Sequence, residues 1–280
     1  MSKIIFVKKE MGYTSFDVCN KLKRVFHTKR IGHTGTLDPN ATGVLIVMVD
    51  ESCKILPYIH HVYKTYRASI RLGIKTDTGD IWGNVIEEKE ASSYCEKQVE
   101  EVLTQFLGHS KQIPPMTSAI KVNGQKLYEL QRKGITIERE PRDIEVKSIK
   151  LLSINDEIHF EAMVSTGCYI RSLVEDIAEK LGTIGTMSAL ERTSVDHVGI
   201  EDCYSLKEIE EGNYRAFSKE EILKPYYSFV EYEPIADIKN GKRIHIDSKE
   251  EIVMITYHNE VIAAYEKEKG NQYRSKRGLW

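Results

Sequence analysis

Asp38 is the only carboxylate between Lys21 and Val49, a stretch that also carries Lys21, Lys23, Arg24, Lys29, Arg30, His27 and His33. Cations beside an acid favour its ionised form, and they attract phosphate. The residues around it run Arg30-Ile31-Gly32-His33-Thr34-Gly35-Thr36-Leu37-Asp38-Pro39-Asn40-Ala41-Thr42-Gly43-Val44-Leu45. Three glycines, a proline and three threonines predict a tight, ordered loop, not a strand or a helix. An ionised aspartate held on such a loop has the chemistry of a nucleophile or a base. An Asp-Pro pair is also an ordinary turn capped by the aspartate, and the cations are also what a solvated helix face carries.

The elements that must hold this loop are legible on both sides of it. Ile4 to Val7 predicts a short strand, Gly12-Tyr13 a turn, and Thr14 or Ser15 the cap of a helix reaching Phe26, with Phe16, Cys19, Leu22 and Phe26 on one face. Val44 to Val49 is an unbroken apolar run, read as a buried strand. From Tyr66 to Leu72 the chain alternates, with Tyr66, Ala68, Ile70 and Leu72 on one side and Arg67, Ser69 and Arg71 on the other. Ser93 and Glu96 have capping-box spacing ahead of a helix bearing Val99, Val102, Leu103, Phe106 and Leu107, which Gly108 ends. A shorter helix spans Gln125 to Lys133. Strands are expected over Ile144–Leu152 and Ile158–Val164, then a helix through Val174, Ile177, Ala178 and Leu181 that stops at Gly182. Strands and helices mix without a regular βαβ repeat, so the fold class is α+β.

The texture changes between Pro225 and Pro234. Beyond it, Ile252–Ile255, a turn at His258-Asn259-Glu260 and Val261–Tyr265 read as the short strands of a small separate unit. Its tail, Gly270 to Trp280, carries Arg274, Lys276 and Arg277 without an acid. The reading therefore divides the 280 residues at 1–231 and 232–280.

With 41% hydrophobic and 29% charged residues, a packed core is expected, not disorder. A net charge of −2 excludes a protein that coats nucleic acid through global charge, and leaves room for a local basic face. Cys19, Cys53, Cys95, Cys168 and Cys203 are odd in number and scattered, with no C-x-x-C spacing, so neither a disulfide framework nor a zinc site is expected. Free thiols suit a reducing cytoplasm. The N-terminal apolar run, Ile4 to Val7 after Met1-Ser2-Lys3, is too short for a signal peptide, and no run of about 18 apolar residues is present to span a membrane.

The string Gly32-His33-Thr34-Gly35-Thr36-Leu37-Asp38-Pro39, followed by Ala41-Thr42-Gly43-Val44-Leu45, resembles the nucleophile motif of the TruB family of tRNA pseudouridine synthases nearly letter for letter. Further stretches are similar to the same family: Lys64-Thr65-Tyr66-Arg67-Ala68; Thr76-Asp77-Thr78-Gly79-Asp80; Gln112-Ile113-Pro114-Pro115-Met116-Thr117-Ser118-Ala119-Ile120-Lys121; Gly167-Cys168-Tyr169-Ile170-Arg171-Ser172-Leu173; and Leu190-Glu191-Arg192-Thr193. Together they cover most of residues 1–210. The resemblance implies an isomerase that converts the uridine at position 55 of the tRNA T loop to pseudouridine. The N-glycosidic bond breaks, the base turns, and the sugar rejoins through carbon 5, with no cofactor and no metal. It implies Asp38 as nucleophile, Tyr66 as the platform for the target base and Arg171 as the partner of Asp38. It also implies His33, Leu190, Lys64 and Lys9 at the substrate. A base inside a folded loop must be extruded and stacked before its bond is reachable, which suits an aromatic side chain. An arginine offers a carboxylate a two-pronged ion pair. Without the motif, Tyr66 is equally a core tyrosine, Arg171 a surface arginine at a helix start, and His33 the donor of a loop-stabilising hydrogen bond. Thr117 stands where the family commonly has tyrosine, and Lys9-Glu10-Met11-Gly12 departs from its usual Lys-Pro-x-Gly.

The fold so implied has a mixed or antiparallel central sheet with flanking helices and a small C-terminal β-rich unit similar to the PUA type, which in the family grips RNA. The expected partner is the tRNA T arm, with no membrane and no obligate protein partner, and the chain acting as a monomer. A non-catalytic tRNA-binding protein or folding chaperone on the same fold is the alternative. A guide-RNA-directed relative is the less favoured reading, because the core begins at Ile4 without an N-terminal extension.

Overall fold

The computed structural model describes residues 2–59, 63–90, 93–118, 120–122 and 124–280. Met1 and Ala119, both quoted above, lie outside the described residues.

Three segments form one edge of the main sheet: β1 (Lys3–Lys9), β2 (Ile31–Thr34) and β3 (Thr42–Val49). β1 and β2 both pair antiparallel with β3. Residues 44–49 are buried without a break, as a strand covered on both faces requires. The pairing of Thr34 with Ile46 and of Ile31 with Val49 corrects the expectation of one long loop. An isoleucine and a threonine frame Gly32-His33, and β3 supplies the ladder, so the loop proper shrinks to residues 35–41.

Helix α1 (Ser15–Val25) follows β1. Thr14 caps it: its Oγ1 accepts from the Asp17 N–H at 3.0 Å, and Asp17 Oδ2 accepts from the Thr14 N–H at 2.9 Å. Ser15, Val18, Cys19 and Leu22 make the buried stripe at i, i+3, i+4, i+7. Phe16 falls outside that stripe and is 64% exposed, which corrects its expected place on the inner face.

The chain continues through β4 (Tyr63–Leu72), β5 (Ile74–Thr76), β6 (Val85–Glu88), α2 (Glu96–Thr104), β7 (Gly108–Gln112), β8 (Lys121–Val122), β9 (Gln125–Lys126), α3 (Leu127–Gln131), β10 (Arg142–Ile154), β11 (Ile158–Ser165), α4 (Ile170–Lys180) and β12 (Gly185–Val195). The main sheet runs β1-β3-β12-β4-β11-β10-β7. Its pairs are antiparallel except β3 with β12, which meet in parallel at Thr42–Glu191 and Gly43–Arg192. The alternation read in β4 places Tyr66, Ala68 and Ile70 in the core, where Val99 and Leu103 of α2 and Leu173, Val174 and Ile177 of α4 cover them. Two helices differ from expectation. α2 starts at Glu96, with Gln98 Oε1 accepting from the Cys95 N–H at 2.9 Å, so its reciprocal cap lies two residues beyond Ser93–Glu96. α3 is shorter than expected because Gln125 and Lys126 pair back onto β8.

After β13 (Val198–Gly199), which pairs with β12, a second sheet forms from β14 (Ser228–Glu231), β15 (Ile244–His245), β16 (Ile252–Tyr257), β17 (Glu260–Lys269) and β18 (Gln272–Gly278), in the order β14-β16-β17-β18-β15. Its first strand lies on the N-terminal side of residue 232. His258 and Asn259 take φ of 49° and 63°, the pair of positive values a tight hairpin turn needs. The basic tail is β18, and Arg274 and Lys276 are both paired with Glu266, at 2.6 and 2.7 Å. Met254, Val261, Ala264 and Leu279 join Ile4, Phe6, Val44, Ile46 and Met48 in one apolar cluster, so the second sheet is docked on the first. The α+β class and the C-terminal β-rich, PUA-like sheet are as the sequence leads one to expect. Among the described residues no helix is long and apolar enough to cross a membrane.

Candidate active site

Asp38 stands on the loop between β2 and β3, and side chains distant in sequence fix that loop. The Ser15 hydroxyl, at the first turn of α1, accepts from the Leu37 N–H at 2.9 Å and donates to the Leu37 carbonyl at 3.3 Å. The Pro39 carbonyl accepts from the Gly12 N–H and from Lys9 Nζ, both at 3.0 Å. The Ala41 N–H closes the turn onto the Asp38 carbonyl at 3.1 Å. Polar backbone groups that would cost energy if buried alone are thus used to set the loop.

Arg171 comes from the first turn of α4 and is 5% exposed. It grips Asp38 with two nitrogens, Nε to Oδ2 at 3.1 Å and Nη2 to Oδ1 at 3.4 Å. The rest of its guanidinium is bound as well. Nη1 donates to the Thr78 carbonyl at 3.0 Å and to the Thr117 hydroxyl, Nη2 donates to the Thr117 carbonyl at 3.1 Å, and Asp80 Oδ2 lies 4.0 Å from Nη1. Burial pushes the Asp38 carboxyl above the ordinary carboxylate range; Arg171 pulls it back, Asp80 adds to the rise, and Lys9 opposes it. The cations that favour its ionised form are Arg171 and Lys9, not those of residues 21–30. The basic stretch before Asp38 is partly engaged elsewhere, with Arg30 paired to Glu51, Lys21 over the Tyr13 ring and Lys23 over the Phe16 ring.

A cavity of about 270 Å³ opens at Asp38 and is lined by Asp38, Tyr66, Arg171, Lys64 and Leu190, together with Cys168 and Tyr169. Lys64 and Tyr66 lie two apart on β4 and so share a face. Lys64 is pushed down to about 8 by burial and by the charge of Arg192. Burial raises the Cys168 thiol to about 12 and keeps it neutral. A further chamber, about 540 Å³, reaches Asp38 from another side between Tyr128, Gln131, Arg132 and Asp77.

Two expected substrate contacts are placed differently. Lys9 is fully buried, and its three N–H groups go to the carbonyls of Glu10, Tyr13 and Pro39, which leaves none for a ligand. His33 is half-buried on β2 and is not among the residues lining the cavity; burial and Arg192 push it below its ordinary value. Sequence reasoning missed Ser15, Asp80 and Thr117 as neighbours of the site. Their motifs were visible, but only the folded chain shows that they converge on Asp38 and Arg171. Among the described residues no cluster of metal ligands forms.

A family model described as the TruB family pseudouridylate synthase N-terminal domain matches residues 23–170, and one described as the tRNA pseudouridylate synthase B C-terminal domain matches residues 171–231. The chain belongs to the TruB family of pseudouridylate synthases. A relative from Mesoplasma florum named tRNA pseudouridine synthase B is 38% identical over 281 residues, covering 99% of this chain and 98% of its own. One of the same name from Clostridium tetani is 45% identical over 218 residues, or 78% of this chain and 75% of its own. Among solved structures, the crystal structure of a Cbf5-Nop10-Gar1 complex contains a chain that superposes with a TM-score of 0.74 at 22% identity, covering 99% of this chain and 85% of that one. That likeness extends the shared fold over both sheets of this TruB-family chain.

Proposed function

We propose that this chain isomerises uridine to pseudouridine at position 55 in the T loop of tRNA, with Asp38 as the nucleophile. The observation that carries the reading is the forked Asp38–Arg171 pair at the mouth of a cavity walled by Tyr66 and Leu190. The target nucleotide leaves its stack and its base lies against Tyr66 and Leu190. Arg171 keeps the Asp38 carboxylate ionised and aimed at the sugar. The bond from C1′ to N1 breaks, the freed base turns within the cavity, and the bond from C1′ to C5 forms; C5 then gives up its proton and N1 takes one up from solvent. One proton is lost and one gained, so the product is an isomer of the substrate and no redox partner is needed. Lys64, as an ammonium facing the same cavity, holds an oxygen of the substrate. Family membership and the shared name of the relatives support tRNA as the substrate.

The two sheets divide the work in this reading, catalysis in residues 1–231 and RNA grip in 232–280, with β14 bridging them. The chain acts in the cytoplasm as a monomer and needs neither a guide RNA nor a protein partner. The intact Asp38–Arg171 pair favours an enzyme over a tRNA-binding chaperone that has lost its chemistry. The test is a T-arm stem-loop transcript treated with wild type or Asp38→Asn, with pseudouridine mapped by mass spectrometry. Wild type should modify one uridine, and the variant should be slower by about 10³-fold or more. Equal product from both would remove Asp38 from the mechanism. Product only when a second protein is added would remove the stand-alone reading.

A further inference from the structure

Arg192 is wholly buried in β12, the strand between β3 and β4, directly opposite Tyr66 in register. Its Nε donates to the Val44 carbonyl at 2.8 Å, and its Nη2 donates to the Gly35 carbonyl at 3.1 Å. Gly35 is the first residue of the Asp38 loop, and Val44 is the third residue of β3, the strand that leaves it. One guanidinium therefore spans both stems of the loop. The backbone of Gly43 takes φ +107°, and a Cβ there would sit 2.1 Å from the Arg192 carbonyl oxygen, so the parallel contact between β3 and β12 depends on a glycine.

Among the described residues no carboxylate pairs with Arg192, and its Nη1 is buried without a hydrogen-bond partner, 3.5 Å from where a Cβ of Gly35 would lie. A buried cation without a counter-charge is costly, and an apolar side chain would fill the space at less expense. Stability alone does not explain this arginine. Its reach to the two stems does.

We propose that Arg192 is a positioning residue for the reaction, whose guanidinium sets the span of residues 35–43 and so the point from which Asp38 meets the substrate sugar. It acts through the loop and does not touch RNA, since its side chain has no exposed surface. The inference rests on Asp38 being the nucleophile. It goes beyond that reading by assigning to the far side of the loop a requirement as strict as the one Arg171 imposes on the near side.

The experiment compares wild type, Arg192→Met, Arg192→Lys and Gly43→Ala in the full-length chain. It reads kcat and KM on a T-arm stem-loop transcript, transcript Kd, and hydrogen exchange along the backbone. A misplacement of about an ångström at a reacting group costs on the order of 10²-fold in rate. Arg192→Met should lose about that much in kcat with KM and Kd within about threefold of wild type. Arg192→Lys, able to reach one carbonyl, should recover part of the loss. Amides of residues 36–41 should exchange faster in the variants, while those of 252–278 stay as in wild type. If Arg192→Met does not fold, Arg192→Lys and Gly43→Ala carry the same comparison, because each disturbs the same stem from one side. Unchanged kcat with unchanged loop exchange would overturn the proposal. A rise in KM and Kd at constant kcat would make Arg192 an RNA contact instead. Faster exchange spread evenly over both sheets would make it a general structural residue. Wild type that forms no pseudouridine would sink the proposed function, while the exchange data would still decide whether Arg192 holds the loop.

Discussion

Asp38 carries two opposed influences that a pH profile can separate. Burial lifts its carboxyl, and Arg171 is the largest force holding it down. The reaction needs the carboxylate, so activity should fall as pH drops through a value above the ordinary aspartate range. Arg171→Met removes the main lowering influence, so the acid limb of kcat/KM should move to higher pH, and the rate at its plateau should fall by about 10²-fold or more because the carboxylate loses the fork that aims it. An acid limb that stays in place would show that Arg171 does not set the charge of Asp38. At the basic end, Lys64 is pushed down to about 8 by burial first and then by Arg192, against the pull of Asp196. If the ammonium holds substrate, KM should rise above that pH, and Lys64→Arg should keep KM flat to higher pH. Asp38, Tyr66 and Arg171 were legible in the sequence because each sits in a long motif. The sign of the shift on Asp38 was not, since burial of a loop residue depends on α4 and on residues 76–80 closing over it.

The spacing of elements places Arg171, and one glycine sets that spacing. Gly185 begins β12 under α4, and a Cβ there would lie 2.7 Å from the Ala178 Cβ and 3.1 Å from Ile70 Cγ2. Gly185→Ala should therefore push α4 off the sheet and cost about 1–3 kcal/mol, the usual range for overpacking. Because α4 bears Arg171, kcat should fall more than the loss of folded protein explains. A drop in Tm with an unchanged specific activity of the folded fraction would separate the helix position from the site. β12 itself went unread in the sequence. Its ladder is interrupted by register shifts between Met187 and Ala189 and between Arg192 and Ser194, which break the period of two that marks a strand. β4 and β11 pair in an unbroken register, and their alternation was legible. α1 was read correctly in extent and, for Cys19, Leu22 and Phe26, in face; Phe16 was misplaced because it is apolar but stands outside the 15–18–19–22 stripe.

At the scale of the whole molecule the question is whether the C-terminal sheet stands apart. The change of texture near residues 225–234 suggests a separate unit, yet β17 carries the contrary signal in its own sequence. Val261 to Tyr265 is buried without alternation, which means that both faces of the strand are covered. Ile262, Ala263 and Tyr265 face the inner core of the second sheet, while Val261 and Ala264 pack with Met254 and Leu279 against β1 and β3. β3 in turn leaves the Asp38 loop, so the second sheet buttresses the element that carries the site. Met254 has no exposed surface, and Met254→Ala at this junction should cost about 2–5 kcal/mol, the range for emptying a buried site. Were the two sheets independent, that loss would appear only in a melting step belonging to residues 228–280. Docked as they are, the full-length protein should melt in a single calorimetric transition, and Met254→Ala should lower that one Tm. Two resolved transitions, with Met254→Ala moving only one of them, would show that the shared apolar cluster does not couple the sheets.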